Sequence, residues 1–342
     1  MIENTLNNKN NKLSLKALCE IAGVSRSGYY SWYKAKNSTD SAMNQKELND
    51  KRDFELILQA FQFRGYNKGS RGIRMRLLHM GIVMNRKKIK RLMKKFNLFC
   101  PIRKANPYRR IAKAIKTSNY ADNILERQFE KYGPGYVLLT DITYFFYGSD
   151  RAKCFLSVVK DAFTKQILAY KLSQSLEEEF VLETVNMLLK EHGSDIHVDA
   201  LIHSDQGAHY TSVQFIKLLS DAGLRQSMSR RGNCWDNAPQ ESFFGHMKDE
   251  LGIKVKKCTE FAALSKLIDD YIDYYNNDRY QMDLANLSPN EFLSYYRTGV
   301  YPLKAVIDVP EDINNKIEKI KSDRQNPNLN ECLSEALQEE SQ

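Results

Sequence analysis

The chain has 342 residues, 42% of them hydrophobic, and its 51 Lys and Arg outnumber 42 Asp and Glu for a net charge of +9. That length suits two or three domains with at least one sizeable core. No apolar run approaches the roughly 18 residues of a membrane span, and the polar, Asn-rich stretch from Met1 to Lys12 lacks the apolar centre of a secretory signal, so a cytoplasmic protein is expected.

In chain order, Leu13 to Lys36 reads as two short helices around a turn. Leu15, Leu18 and Ile21 have helical spacing, Gly23 breaks it, and Ser25 is placed to cap a second helix carrying Tyr29, Tyr30 and Trp32. This is helix-turn-helix grammar, shared by many small helical hairpins. A second helical unit runs from about Asp53 to Phe99. Ser70 is expected to cap a helix reaching His79, Gly81 marks the turn, and Asn85 is expected to cap a helix reaching Phe96. In that last helix Ile89, Leu92, Met93 and Phe96 fall on one stripe, while Arg86, Lys87, Lys88, Lys90, Arg91, Lys94 and Lys95 occupy the other faces. From Arg64 to Lys116 there are 18 Lys and Arg and no Asp or Glu, which leaves the rest of the chain net negative. Such a stretch repels itself unless it meets a polyanion, and nucleic acid is the expected partner. A solvated basic surface and a membrane-surface helix are the bland alternatives. Cys100 to Asn119, with Pro101 and Pro107, reads as a basic extended connector that includes Arg109 and Arg110.

From Tyr136 the period changes to that of strands. Tyr136–Tyr147, Lys153–Asp161 and Lys165–Ser173 read as an antiparallel meander joined by Gly148-Ser-Asp150 and Asp161-Ala-Phe-Thr164. A helix over Glu177–His192, a strand ending at Asp205, a helix over Ser212–Ala222, a short strand near Leu224–Ser229 and a helix holding Glu241 follow. A further amphipathic helix over Thr259–Asn277 aligns Leu264, Ile268, Tyr271 and Tyr275. The tail from about Pro310 is polar and acidic and is expected to be poorly ordered. The six cysteines (Cys19, Cys100, Cys154, Cys234, Cys258 and Cys332) show neither a CxxC pair nor a His at zinc spacing, so reduced cysteines and no structural zinc are expected.

Three acids stand out. Asp141 interrupts the apolar run from Tyr136 to Tyr147, Asp205 ends the run from Leu201, and Glu241 lies in the helical segment from Trp235 to Lys248. A carboxylate in an apolar strand is costly unless paired, hydrogen-bonded or metal-bound. Three converging from two strands and a helix would make a hard oxygen site suited to Mg²⁺. Lys248 follows Glu241 by two helical turns on the same face.

The words Asp141-Ile-Thr-Tyr144, His203-Ser-Asp-Gln-Gly207, Trp235-Asp-Asn-Ala238 and Glu241-Ser-Phe-Phe244 with Lys248 resemble those of the DDE transposases of the insertion-sequence-three family, whose core is similar to retroviral integrase. The resemblance runs from about Leu15 to Phe292, and as a set the words are highly specific. It implies an α/β fold: a ribonuclease-H-like core, with a mixed five-stranded sheet and flanking helices, preceded by all-α helix-turn-helix DNA-binding units. The expected organisation is an N-terminal helix-turn-helix over 1–45, a second basic helical unit over 46–100, a basic linker over 101–133, the catalytic core over 134–258, a helical closing segment over 259–300 and an acidic tail over 301–342.

The implied activity is metal-dependent DNA cleavage and strand transfer with two Mg²⁺ or Mn²⁺ ions per site. Asp141 would bridge the ions, and Asp205 and Glu241 would each hold mainly one. Lys248 is expected at a phosphate near the reacting end, and Arg230 and Arg231 at the DNA backbone. Trp235 and Asn237 suit a packed aromatic and a helix-entry cap. His203 and His209 suit structural or DNA-contact roles, and Asp161 suits a turn. The implied partners are double-stranded DNA (element terminal repeats and target), a second copy or higher oligomer on DNA, and an upstream-frame helix-turn-helix protein or its fusion. No membrane partner is expected, and the location becomes nucleoid-associated. A copy-out route through a circular intermediate is also implied. Gln281 stands where many family members carry His. Two rivals remain open: a ribonuclease-H-like nuclease that does not join, and a non-catalytic DNA-binding regulator derived from an element.

Overall fold

The structure, a computed structural model, describes residues 2–8, 10–37, 42–101, 132–228 and 238–325. The chain divides into two compact units, one of residues 1–59 with 91–98 and one of residues 60–90 with 99–342. Residues 46–59 and 91–98 of the helical region expected over 46–100 fall in the first unit, and residues 60–90, 99 and 100 in the second.

In the first unit, helices α1 (Ile2–Leu6), α2 (Leu15–Ile21) and α3 (Arg26–Asn37) precede the long α4 (Ala42–Gln62). Ser14 and Ser25 begin α2 and α3 by accepting the backbone N–H of Ala17 and Gly28. These caps satisfy donors a helix start would otherwise leave open. Leu18, Cys19 and Tyr29 are buried. Helix α6 (Arg86–Lys95), which is divided between the two units after Lys90, starts at Asn85, whose side chain accepts the N–H of Lys87. Near its end, Phe96 stacks on Phe54 with ring centroids 4.3 Å apart.

The second unit carries the sheet. Its strands are β1 (Val137–Tyr147), β2 (Ala152–Asp161), β3 (Ile167–Ser173), β4 (Leu201–Ser204) and β5 (Arg225–Met228), in the order β3-β2-β1-β4-β5. The β1–β2 and β2–β3 pairs are antiparallel, and the β1–β4 and β4–β5 pairs are parallel. This mixed sheet is the ribonuclease-H-like arrangement expected. The β2–β3 turn is held by the buried Asp161, which accepts the N–H groups of Gly135 and Thr164 and the Thr164 hydroxyl. That is the turn-forming role its position suggested.

Helices α7 (Glu179–His192) and α8 (Val213–Asp221) cover one face of the sheet. There Val181, Val185, Leu188, Phe215 and Leu219 pack with Leu138, Val159 and Ile202. Helix α9 (Ala238–Leu251), the short α10 (Ile253–Lys257) and α11 (Phe261–Asn277) cover the other. There Phe244, Met247, Leu251, Ile268 and Tyr271 pack with Phe145, Tyr147, Leu156 and Val158. Helix α5 (Ser70–His79) also belongs to this unit. Ser70 is its first helical residue and Gly69 its cap, without a side-chain hydrogen bond, so the capping expected of Ser70 is absent. The segment before α5 is fastened to α11: the Tyr66 hydroxyl donates to Asp270 at 2.6 Å, and Arg64 pairs with Asp273.

The C-terminal region departs from expectation. Helix α12 (Pro289–Thr298) opens with a capping box between Ser288 and Glu291. Helix α13 (Glu311–Gln325) then occupies the first part of what reads as a poorly ordered acidic tail. The reason is a stripe within the polar composition. Ile313, Ile317 and Ile320 share one helical face and are buried with Phe163, Phe292 and Tyr296. Arg324 donates to the carbonyls of Tyr132 and Pro134, tying α13 to the approach to β1. The tail beyond Gln325 lies outside the described residues. Replacing Ile317 by Ala is expected to cost about 2–4 kcal/mol in urea unfolding, as for other buried truncations. Replacing the exposed Lys319 should stay within about 0.5 kcal/mol. Equal, negligible effects at both positions would mean that α13 is not docked.

Candidate active site

Strand β1 pairs with β4 only from Val137↔Leu201 to Leu139↔His203. Asp141 lies two residues beyond the last paired residue of β1 and Asp205 two beyond that of β4, so both acids lie past the same end of that pairing. The chain leaves the sheet just after Ser204, and the turn is built around Asp205 itself, whose Oδ1 accepts the N–H of Gly207 at 2.9 Å. A Cβ on Gly207 would lie 2.8 Å from that oxygen, so the close approach requires glycine.

Asp141 shares its side of β1 with Phe145 and Tyr147, the side packed by α9. On α9, Phe244, Met247 and Leu251 face the sheet. Glu241 precedes Phe244 by three residues and Lys248 follows it by four, so both extend this stripe. The start of α9 is held by Lys160 of β2, a buried lysine whose Nζ donates to the Pro239 carbonyl at 2.7 Å. Its far end is held by a buried ion pair. Arg279 donates through Nε and Nη2 to Glu250, which also accepts the Tyr271 hydroxyl at 3.1 Å.

The electrostatics register the convergence. Burial pushes the Asp141 carboxyl up to about 7, and the negative charges of Asp205 and Glu241 push it the same way. The Ile142 N–H, donating at 2.7 Å, and the Lys248 ammonium act against the rise without cancelling it. Asp205 and Glu241 are exposed, whereas Asp141 is half-buried. The corner is an acidic site with solvent access and one carboxyl that resists ionising. Among the described residues, no group of three or more His, Cys, Asp or Glu is drawn close enough to enclose an ion. Asp205 and Glu241 are thus near enough for their charges to act on Asp141 without the three enclosing an ion.

The other singled-out residues are placed as follows. Lys248 is exposed, with its Nζ 4.8 Å from the Tyr144 ring centroid. His203 is buried, with Nδ1 3.0 Å from the Ser227 hydroxyl, and His209 Nε2 is 2.9 Å from the Leu176 carbonyl, so both are taken up by structural contacts. On α6, Arg86, Lys87, Lys90, Arg91, Lys94 and Lys95 are exposed and Lys88 is half-buried. Arg91 and Lys95, however, are both bound to Asp50, at 2.7 and 2.9 Å, and hold its carboxyl well below the usual range. The uniform basic helix read from the sequence is thus partly neutralised by an acid of α4. Arg109, Arg110, Arg230, Arg231, Trp235 and Asn237 lie outside the described residues. Cys19, Cys100, Cys154 and Cys258 are free thiols. Lys160 and Glu250 carry no motif in the sequence, and Arg279 stands out there only as the end of the word Tyr275-Asn-Asn-Asp-Arg279, which resembles the family's C-terminal closing segment. For Lys160 the available signal was a lysine and an aspartate ending the apolar run Phe155-Leu-Ser-Val-Val-Lys160.

Two family models described as integrase core domain match residues 131–234 and 241–295, and one described as HTH-like domain matches residues 47–106. The chain is 30% identical over 284 residues to a 31 kDa protein of the insertion element IS600 of Shigella sonnei, covering 82% of this chain and 98% of that one. It is 36% identical over 211 residues to a transposase-like protein of Haemophilus influenzae, covering 61% of this chain and 92% of that one. It is 27% identical over 283 residues to the transposase InsF of insertion sequence IS3A of Escherichia coli, covering 82% and 94%. The chain belongs to the insertion-sequence-three family of DDE transposases. Its catalytic function is of the DDE-transposase and integrase type. The first integrase-core match of this family member contains Asp141 and Asp205, and the second begins at Glu241. Among the described residues, no helix is long and apolar enough to cross a membrane.

Proposed function

We propose that this chain is the DNA transposase of an insertion sequence, binding the element's ends and performing both strand cleavage and strand transfer with Asp141, Asp205 and Glu241. The observation that carries the reading is the place of Asp141 and Asp205 past the same end of the β1–β4 pairing, together with the burial of Asp141, which raises its carboxyl, and the like charges of Asp205 and Glu241 that add to the rise. Three carboxylates are a hard-oxygen donor set, and a divalent cation would offset the burial and like charge that disfavour the ionised form of Asp141. By their chemistry Asp141, Asp205 and Glu241 would be the residues to hold Mg²⁺ or Mn²⁺. When bound, two such ions would activate the attacking oxygen and stabilise the leaving 3′-oxygen of an in-line displacement at phosphorus.

The chain's own groups do the positioning. Lys160 and Arg279 hold the two ends of α9, so that Glu241 meets the strand ends. Lys248 offers an ammonium beside Asp141 for a phosphate next to the reacting bond. Water as nucleophile leaves a nick with a 3′-hydroxyl, and that hydroxyl as nucleophile joins element to target. The exposed cations Arg86, Lys87, Lys90 and Lys94 supply non-specific phosphate contacts whose contribution falls with salt. Pairing two element ends calls for at least two copies on DNA.

The test is a Mg²⁺-dependent assay on DNA bearing the element's ends, scoring nicking and joining separately for wild type and Asp205→Asn. Joined product from wild type alone is the expected result. Nicks without joining would favour the nuclease reading. Salt-sensitive binding without product from either protein would favour a regulator, or a chain that needs an upstream partner.

A further inference from the structure

Past Leu139, among the described residues, no strand pairs with the β4-side edge of β1. On this stretch Tyr144 and Phe146 alternate to the same side, with rings packed edge to face at 5.5 Å. They are 48% and 41% exposed, although neighbouring positions 143, 145 and 147 are buried. Two large aromatic residues side by side on a strand surface are a poor choice for a merely solvated face.

Their surroundings are cationic. Lys153 Nζ stands 4.7 Å and Lys248 Nζ 4.8 Å from the Tyr144 ring centroid, and the Arg151 guanidinium stands 5.1 Å from that of Phe146. Asp150, in the same turn, lies against Gly148. Lys248 is also the cation whose charge acts on Asp141, so one side chain spans the acidic corner and the aromatic pair. Exposed π-faces interleaved with ammonium and guanidinium groups are the chemistry of single-stranded nucleic-acid binding. Bases stack on the rings, and cations follow the backbone.

We infer that Tyr144 and Phe146 form a stacking platform for an unpaired base of the DNA end under reaction, with Lys153, Arg151 and Lys248 turning from the rings to its phosphates. The assignment rests on the transposase reading and deepens it. A cation lying over an exposed ring is held weakly, whereas a stacked base is held more strongly, so the exchange runs toward the base. Opening a terminal base pair costs least where the pair is already mismatched. The platform would therefore favour ends that are easily splayed, and would hold the departing base clear of the reacting phosphate.

The experiment uses the full chain and short duplexes bearing the element's end, either fully paired or with mismatched terminal pairs, carrying 2-aminopurine as the terminal base. Wild type is expected to bind the mismatched end more tightly than the paired one and to quench the probe. Tyr144→Phe keeps the π-face and should behave as wild type. Tyr144→Leu keeps apolar bulk without it, and should lose about ten- to a hundred-fold in affinity for the mismatched end. Binding of the paired duplex should change little. Tyr144→Leu that retains both preference and quenching overturns the platform. So does an unchanged DNA profile accompanied by a shift in oligomeric state on sedimentation, which would make the face a protein contact. Wild type that binds paired ends but gains nothing from mismatches overturns this assignment alone. Wild type that binds neither duplex overturns it together with the transposase reading.

Discussion

Asp141→Asn is expected to abolish DNA cleavage and joining while making the metal-free protein more stable at neutral pH. Activity should fall by about a thousand-fold or more, because several kcal/mol of transition-state charge stabilisation are withdrawn. The stability change has the opposite sign. The Asp141 carboxyl titrates at about 7 in the fold, against an ordinary value near 3.9 in an unfolded chain. A raised value means the fold favours the neutral form. Its contribution is complete below about pH 4 and is lost as the pH climbs through 7, amounting to about 4 kcal/mol at most. Asparagine keeps an oxygen for the Ile142 N–H and carries no charge, so the variant should not share that loss. Thermal unfolding in a chelator across this pH window, with variant and wild type compared point by point, removes the effect of other buried acids such as Asp161. Identical pH profiles, or a variant cleaving DNA within about tenfold of wild type, would contradict the charge balance described.

The second large effect is expected far from the acids. Arg279→Ala should destabilise the protein by about 3–5 kcal/mol, the usual result of stripping one partner from a buried pair. Burial is the largest influence on the Arg279 guanidinium and lowers its pKa, but Glu250 together with Tyr271 and Tyr275 outweighs it and raises it. Without Arg279, Glu250 would be left with the single Tyr271 hydroxyl in an apolar layer of Tyr274, Tyr275 and Ile268. Pairing the change with Glu250→Gln should recover much of the loss, since no buried charge then remains uncompensated. Urea unfolding of the two single variants and the double provides the check. A loss under about 1 kcal/mol for Arg279→Ala would show the pair to be solvated. Because Glu250 and Glu241 share α9, the single variant should also lower activity under conditions where it remains folded.

Local patterns made most of the elements legible. Alternating apolar residues around Asp141, Ser157 and Ala169 gave β1 to β3 within a residue or two, and the i, i+4, i+7 stripe of Leu264, Ile268 and Tyr271 gave α11. Motif words gave the three acids. The isoleucine stripe of α13 was equally visible, but the acidic composition around it obscured its hydrophobic period. Asp50 was missed because its partners lie 41 and 45 residues away, on another helix.

What the residues determined by themselves was periodicity and identity: which segments bury a face, and which acids sit where an acid is expensive. Those properties depend on neighbours a few positions apart. The tertiary structure alone decided where the β1–β4 pairing stops before Asp141 and Asp205, that Lys160 and Arg279 hold the helix of Glu241, and that Tyr144 and Phe146 stay open to solvent. Each of these depends on strand register or on where a neighbouring strand stops. Both are set by the packing of distant segments, in which a one-residue slip would send every side chain to the opposite face.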